Sequence, residues 1–374
     1  MSEVFTLDAS SIPWETFAVC ALLVIAPALA APQRQRAFLP LLLAALAIAL
    51  FSASATVAYA AIAAAATLHA AAALRHTRTG AVMLGLSAVL AGGVVLAIRA
   101  DASSFAFWLS CLTIALRAGV MPLHVGVASL CDRARVVQTQ QMASTVALVF
   151  VHLRFVDHHA AAIAAGPAVV GIGAAAAVVA ALVTLVQKEL SGFYRGTTAM
   201  HGGMLLAAVG AASIGNFAAA LLVAITMALA LSGMGLLMSA LEERVGTVRF
   251  DHPGGYSAAF PKLAAAFALF GGAGIAIPGT AGFVADDLLL HTLWMESPTS
   301  TVAMILASAL LAIATLMAYS RAFLGRPTAS IAPDLFLTER VVVVTLFMLL
   351  LFLGFVPGAV LEPADALLRT VPPA

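Results

Sequence analysis

The sequence predicts an all-α fold: a polytopic membrane bundle of about twelve transmembrane helices, two of them discontinuous, forming a single domain over residues 1–374. Three observations predict it. Of the 374 residues, 63% are hydrophobic and only 9% charged, where a soluble domain carries about 25% charged residues. Mean hydropathy is +1.08. The apolar runs recur at lengths near the ~20 residues that a helix needs to cross hydrocarbon. A water-soluble enzyme and a disordered or collagen-like chain are excluded. A net charge of +1 offers no basic face for nucleic acid.

The spans lie near 15–31, 37–54, 56–74, 80–98, 104–131, 137–156, 160–186, 194–213, 216–240, 258–293, 301–324 and 338–366. Met1–Pro13 is polar and lacks the positive start of a signal peptide, so residue 1 is expected to be mature sequence. The fifth and tenth runs are too long for one straight helix. The fifth is interrupted at Arg117-Ala118-Gly119-Val120-Met121-Pro122 and the tenth at Ile277-Pro278-Gly279-Thr280. With the N-terminus outside, 14 of the 18 Lys+Arg residues fall in cytoplasmic segments, as the positive-inside rule requires. Counting 258–293 as two crossings would throw Arg321, Arg326 and Arg340 outside. Both interrupted runs therefore read as single discontinuous helices, with two short kinked helices at each site as the alternative. Both termini are then expected in the periplasm.

A broken helix frees backbone N–H and C=O groups that lipid cannot satisfy, so breaks are tolerated only inside protein or beside a hydrated cavity. In transporters they sit at the ion site. Both breaks here, at Pro122 and at Pro278-Gly279, adjoin ionisable residues: Arg117 at the first, Asp286 and Asp287 after the second. An ionisable group at bilayer depth costs at least about 2.5–3.5 kcal/mol on insertion scales and is a functional candidate by default. The plain alternative is an Arg–Asp pair that pins two helices. His124 follows Arg117 by about two turns if the helix continues. His69 and His201 lie within apolar spans, and His152 near the outer end of another. A lone helix histidine is more often a packing residue, yet imidazole titrates near pH 6.5, so a row of them can pass protons. Lys188-Glu189 reads as a solvated boundary pair, and His158-His159 as weak metal candidates. Cys20, Cys111 and Cys131 read as small buried hydrophobes. With no CxxC, no haem-spaced histidine pair and no Gly-rich phosphate loop, the expectation is no cofactor, no metal and no catalytic site in this chain.

These residues resemble the antiporter-like, proton-conducting membrane subunits of respiratory complex I (NADH-quinone oxidoreductase) and related complexes. The relatives include Na⁺/H⁺ antiporter complexes, membrane-bound hydrogenases and the membrane partner of inorganic-carbon-accumulating complexes. The resemblance runs over about 56–325. Arg117 with Pro122-Leu123-His124 looks like the family's first broken helix, a lysine followed by P-x-H, with Asp132 at a commonly acidic position. Val186 to Ser191 looks like the V-Q-x-D-I-K strip, and Thr198 to Gly203 like T-M-S-H-x-G. Ile277 to Asp286 resembles L-P-G-T-x-N/G-F-V-G-E, which places Asp286 on the terminal acidic residue. Tyr319 to Gly325 resembles Y-x-x-R-x-F-x-G. The departures are Arg117 for lysine, Ser191 for lysine, Met142 at a histidine position, Ala134-Arg135-Val136 for P-T-P, and only His69 where a glutamate belongs. The chain is also about two helices shorter than typical members.

The resemblance implies a proton-conducting subunit of a larger complex in a bacterial inner membrane. Arginine keeps its proton at ordinary pH, so Arg117 would set the field, His124 and His201 would relay, and Asp286 would be the exchangeable end. Asp132, Lys188, Glu189, Asp287 and His69 are accessory positions. Expected partners are the lipid bilayer and other membrane and cytosolic subunits. The altered charges lean toward an accessory complex, such as inorganic-carbon uptake with a large cytosolic zinc-binding protein. A subunit of NADH-quinone oxidoreductase and a non-conducting structural subunit are the alternatives.

Overall fold

Each of the twelve expected spans corresponds to a helix, and the two overlong ones each split in two. The structure, a computed structural model, describes residues 12–30, 38–133, 135–156, 160–212, 217–326 and 332–362, without the side chains of 12 and 26–30. The extreme termini, Ala134, His158-His159 and Arg369 lie outside the described residues. The helices are α1 (Ile12–Ala30), α2 (Leu39–Phe51), α3 (Ala55–Ala73), α4 (Arg78–Arg99), α5 (Ser103–Ala118), α6 (Val125–Arg133) and α7 (Arg135–Phe155). They continue as α8 (Ala160–Leu185), α9 (Leu190–Ala212), α10 (Phe217–Val245), α11 (Pro261–Gly274), α12 (Ala281–Glu296), α13 (Pro298–Phe323) and α14 (Leu337–Phe355). Six of them (α3, α4, α8, α10, α13 and α14) are each long and apolar enough to cross a membrane alone. Helix α14 is interrupted before the expected residue 366: Val356 leaves helical geometry, Pro357 follows it, and residues 358–362 are helical again.

The broken runs behave as interrupted rods. Helices α5 and α6 make little contact with each other, as do α11 and α12, whereas the hairpin partners α3–α4 and α8–α9 pack extensively. The centre of the bundle is α10, buried over nearly its whole length and packed on α1, α7, α9, α11, α12 and α14. Helices α7 and α9 are buried almost as completely. The outer helices turn residues such as Val89, Leu96 and Leu316 outward, the apolar exterior that a lipid solvent demands. Small residues bring α8 and α9 into backbone contact: a Cβ on Gly203 would lie 2.6 Å from the Ala177 nitrogen, and one on Gly173 2.4 Å from that of Ala207. Without a hydrophobic drive between helices in lipid, such close approach is what holds them together.

Candidate functional site

At the first break, Gly119 adopts the left-handed conformation (φ +76°) that ends α5 after Ala118. Arg117, one residue earlier, is 1% exposed. Its guanidinium donates to Ser87 Oγ of α4 at 3.3 Å and to Ser144 Oγ of α7, while its carbonyl accepts from Gln141 Nε2 at 2.5 Å. Ser144 Oγ also lies 3.5 Å from His69 Nδ1, so His69 and Arg117 share one hydroxyl. His69 in turn lines a narrow cavity with Arg75, His76 and Gln140. Among the described residues Arg117 makes no ion pair, and the Arg–Asp pin considered above is not formed. Two features were missed from sequence: the serines that hold Arg117, and the role of Gln141. The signal was there, since Gln138-Thr139-Gln140-Gln141 and Ser144-Thr145 are polar residues inside one span, and all are buried.

His124 does not lie two turns along a helix from Arg117. Gly119 and Pro122 end the helix, and α6 begins only at Val125, which leaves His124 in the turn itself. There it lines a cleft between α6, α8 and α9 whose far side carries the Arg195–Asp132 ion pair at 2.5 Å.

The second break runs from the end of α11 through Gly279 (φ +93°) to Thr280 at the head of α12. Asp286 sits in the second turn of α12, half-buried, without a hydrogen bond or ion pair to any described residue. Asp287, about 100° round the helix, is exposed. His201 reaches this break from α9. Its Nδ1 is 2.9 Å from the Thr197 carbonyl oxygen one turn back, and its Nε2 is 2.9 Å from the Gly274 carbonyl oxygen at the end of α11. A neutral imidazole has one N–H and can donate to only one of these oxygens; the imidazolium donates to both. His201 thus has bonding patterns that differ by one proton.

The next residue on α9 touches the other break. A Cβ on Gly202 would lie 2.4 Å from the Ala118 carbonyl oxygen, so α9 packs its backbone on the end of α5 at this point. One turn of α9 therefore contacts both interrupted helices, and Cys131 on α6 comes within 3.9 Å of Thr198 one turn away.

Near the start of α9, Glu189 pairs not with Lys188 but with Arg249, at 3.2 Å. The reason is a backbone bridge between Glu189 and Arg249, with Leu190 N donating to Val248 O and Phe250 N to Lys188 O; this leaves Lys188 exposed. Arg249 also holds Asp251 at 2.8 Å, and that bond keeps the Asp251 carboxyl below its ordinary value.

Residues 11–312 match the family model described as NADH:quinone oxidoreductase/Mrp antiporter, TM. The chain belongs to this family. Among curated relatives of this NADH:quinone oxidoreductase/Mrp antiporter family, NADH-quinone oxidoreductase subunit M of Rickettsia bellii (strain RML369-C) is 25% identical over 197 residues, 52% of this chain and 40% of the relative. That alignment spans about two fifths of the relative's length. The fold is shared with a chain of respiratory complex I from Thermus thermophilus: TM-score 0.83, 19% identity, covering 96% of this chain and 84% of that one. It is also shared with a chain of the Mrp complex from Dietzia sp. DQ12-45-1b: TM-score 0.75, 17% identity, covering 96% and 82%. The protein is thus a multi-pass, antiporter-like membrane subunit whose structural neighbours come from multi-subunit membrane complexes.

Proposed function

We propose that this chain conducts protons within a larger membrane complex. Protons enter on the side of Arg75 and His76 through the cavity that His69 lines, meet the fixed charge of Arg117, and cross to the second break by way of His201. Asp286 is the exchangeable end, and His124, in its cleft beside Asp132 and Arg195, is a further relay. The observation that carries this reading is the single turn of α9, His201–Gly202, against both helix breaks. That turn lies between the end of α5, where Arg117 is held by neutral hydroxyls, and the end of α11, beyond which Asp286 on α12 has no cation beside it among the described residues. Moving a charge along such an array shifts the proton affinity of its neighbours, which is how the chain would couple transport to an engine it does not itself contain.

For the engine, we propose an accessory process such as inorganic-carbon uptake, with a large cytosolic zinc-binding protein as partner, in a bacterial inner membrane with both termini periplasmic. The reading as a proton-pumping subunit of NADH-quinone oxidoreductase fits the family and the fold equally. One experiment tests both layers. The tagged chain is isolated from its native membrane with the subunits it brings, and the complex is reconstituted in liposomes under an imposed pH gradient. Dissipation of the gradient is expected, and a gradient that persists would refute conduction. One large zinc-binding protein among the co-purifying subunits points to the accessory process; a set of quinone-oxidoreductase subunits points to complex I.

A further inference from the structure

Between α1, α10 and α14 lies a cavity of about 420 Å³ that no residue of the proposed pathway lines. Its volume falls in the range of ordinary ligand sites. The space is left because α1 packs mainly on α7 and only sparsely on α10 and α14. Val19, Leu22, Ile225, Leu349 and Leu353 make its walls apolar. Ala18 and Phe352, which also line it, are exposed, so the cavity opens on the lipid-facing surface. Polar side chains meet it at one end only, from Glu15 and Thr16 near the start of α1.

Two further observations point to what fills it. Thr16 is 1% exposed, yet its hydroxyl has no hydrogen-bond partner among the described residues. Other helix threonines bond the carbonyl one turn back, as Thr184 does on Ala180 at 2.7 Å and Thr315 on Leu311 at 2.8 Å. A buried hydroxyl left unpaired is rare. Beside it Trp14 is exposed, and tryptophan marks the membrane–water interface. The polar end therefore lies at headgroup level, and the apolar wall runs ~9 Å deeper from Thr16 to Leu22. On the positive-inside reading this is the outer leaflet. Water has too few polar partners to occupy so apolar a space, and hydrocarbon is the solvent at its opening.

We propose that this cavity binds one phosphatidylethanolamine molecule of that leaflet. One acyl chain fills the space between α1, α10 and α14, an ester carbonyl accepts the Thr16 hydroxyl, and the ammonium pairs with the Glu15 carboxylate. Glu15 selects the headgroup. It lies in the first turn of α1, where the helix dipole favours an anion, and its charge attracts an ammonium but repels the net negative phosphatidylglycerol. A quinone would offer carbonyls to Thr16 and no cation to Glu15. The bound lipid also joins α1 to α10 and α14, whose direct contacts with it are sparse. The site is independent of the conduction reading.

The test strips the native complex of lipid in detergent and titrates it with dioleoyl phosphatidylethanolamine or phosphatidylglycerol under native mass spectrometry. Ala18→Phe, which projects a ring into the cavity, should retain one phosphatidylethanolamine fewer than the parent. Thr16→Val keeps the shape and removes the hydroxyl, and should weaken that site roughly 5- to 10-fold, the size of one hydrogen bond. Glu15→Gln should abolish the preference for phosphatidylethanolamine. An unchanged lipid count in Ala18→Phe overturns the site, as when residues 1–11 or 363–374 of this chain fill the space themselves. Phosphatidylglycerol held by the parent as firmly as phosphatidylethanolamine, a preference that survives Glu15→Gln, or a quinone retained in the lipid's place overturns it too. Where Ala18→Phe fails to assemble, Thr16→Val decides, and undiminished binding there overturns the proposal.

Discussion

Gly202 is where the geometry is least forgiving. In Gly202→Ala the added Cβ would sit 2.4 Å from the Ala118 carbonyl oxygen and 3.0 Å from its carbon. The obstacle is backbone at the end of α5, which cannot rotate out of the way as a flexible side chain could. Relief requires α9 and the end of α5 to part by roughly an ångström, and overpacking of this kind costs about 1–3 kcal/mol. Alanine gains about 0.5–1 kcal/mol over glycine in a helix interior, so the net loss should lie between about 0 and 2.5 kcal/mol. Gly92→Ala on α4 is the control, since nothing lies within 4 Å of its Cβ; only the helix-forming gain remains, and this variant should be neutral or stabilised. Thermal unfolding of the complex in detergent gives the stabilities, and pH-gradient dissipation in liposomes gives the flux. Gly202→Ala should lose roughly 10- to 100-fold in flux, as a displacement of this size does in a positioned site, while Gly92→Ala should match the parent. A Gly202→Ala complex as stable and as conductive as the parent would refute the argument that α9 must press on the end of α5.

Other expectations follow from the same geometry. Asp286→Asn should assemble normally, because no cation is left behind, and should lose the larger part of its proton flux; failure to assemble would show a pinning role instead. Arg117→Met removes a buried charge that has no carboxylate partner among the described residues, so the complex should be no less stable, yet non-conducting; a marked fall in thermal midpoint would sink this. A reporter joined after Arg326 should read cytoplasm and one at Asp101 periplasm, whereas a periplasmic signal at Arg326 would mean that α11 and α12 cross separately. The folded Asp251 carboxyl titrates below its ordinary 3.8, so the Arg249 clamp is fully present above that value and is lost as the pH falls through the lowered one. An NMR titration of Asp251 that gave an unshifted or raised midpoint would contradict the clamp.

The spans were legible because the solvent imposes a length, and the breaks because proline and glycine remove the means to continue a helix. What could not be read were contacts made across long stretches of chain. Nothing near Arg117 in sequence names Ser87 or Ser144 as its holders, and nothing near Glu189 names Arg249, since these partnerships exist only once α4, α7 and the segment after α10 have packed. His124 was misplaced for a local reason: the helical ruler was carried through Gly119 and Pro122, where the chain turns. His201 was picked out as a histidine in an apolar span, but its two carbonyl partners depend on where α11 stops, and that end is set by the break at Ile277 to Thr280 together with the packing of α9.

The contact of α9 with both interrupted helices has a mechanical meaning that the charges do not share. A displacement of the stub at Ala118 would press on Gly202, whose neighbour His201 meets the Gly274 carbonyl, so the two breaks would be linked as by a push-rod with no ion moving in the field. Work done through such a rod is indifferent to the transmembrane voltage, whereas carrying one elementary charge across it is worth about 2.3 kcal/mol per 100 mV. Under the proposed conduction, the two halves of the protein would therefore be geared to each other at any membrane potential.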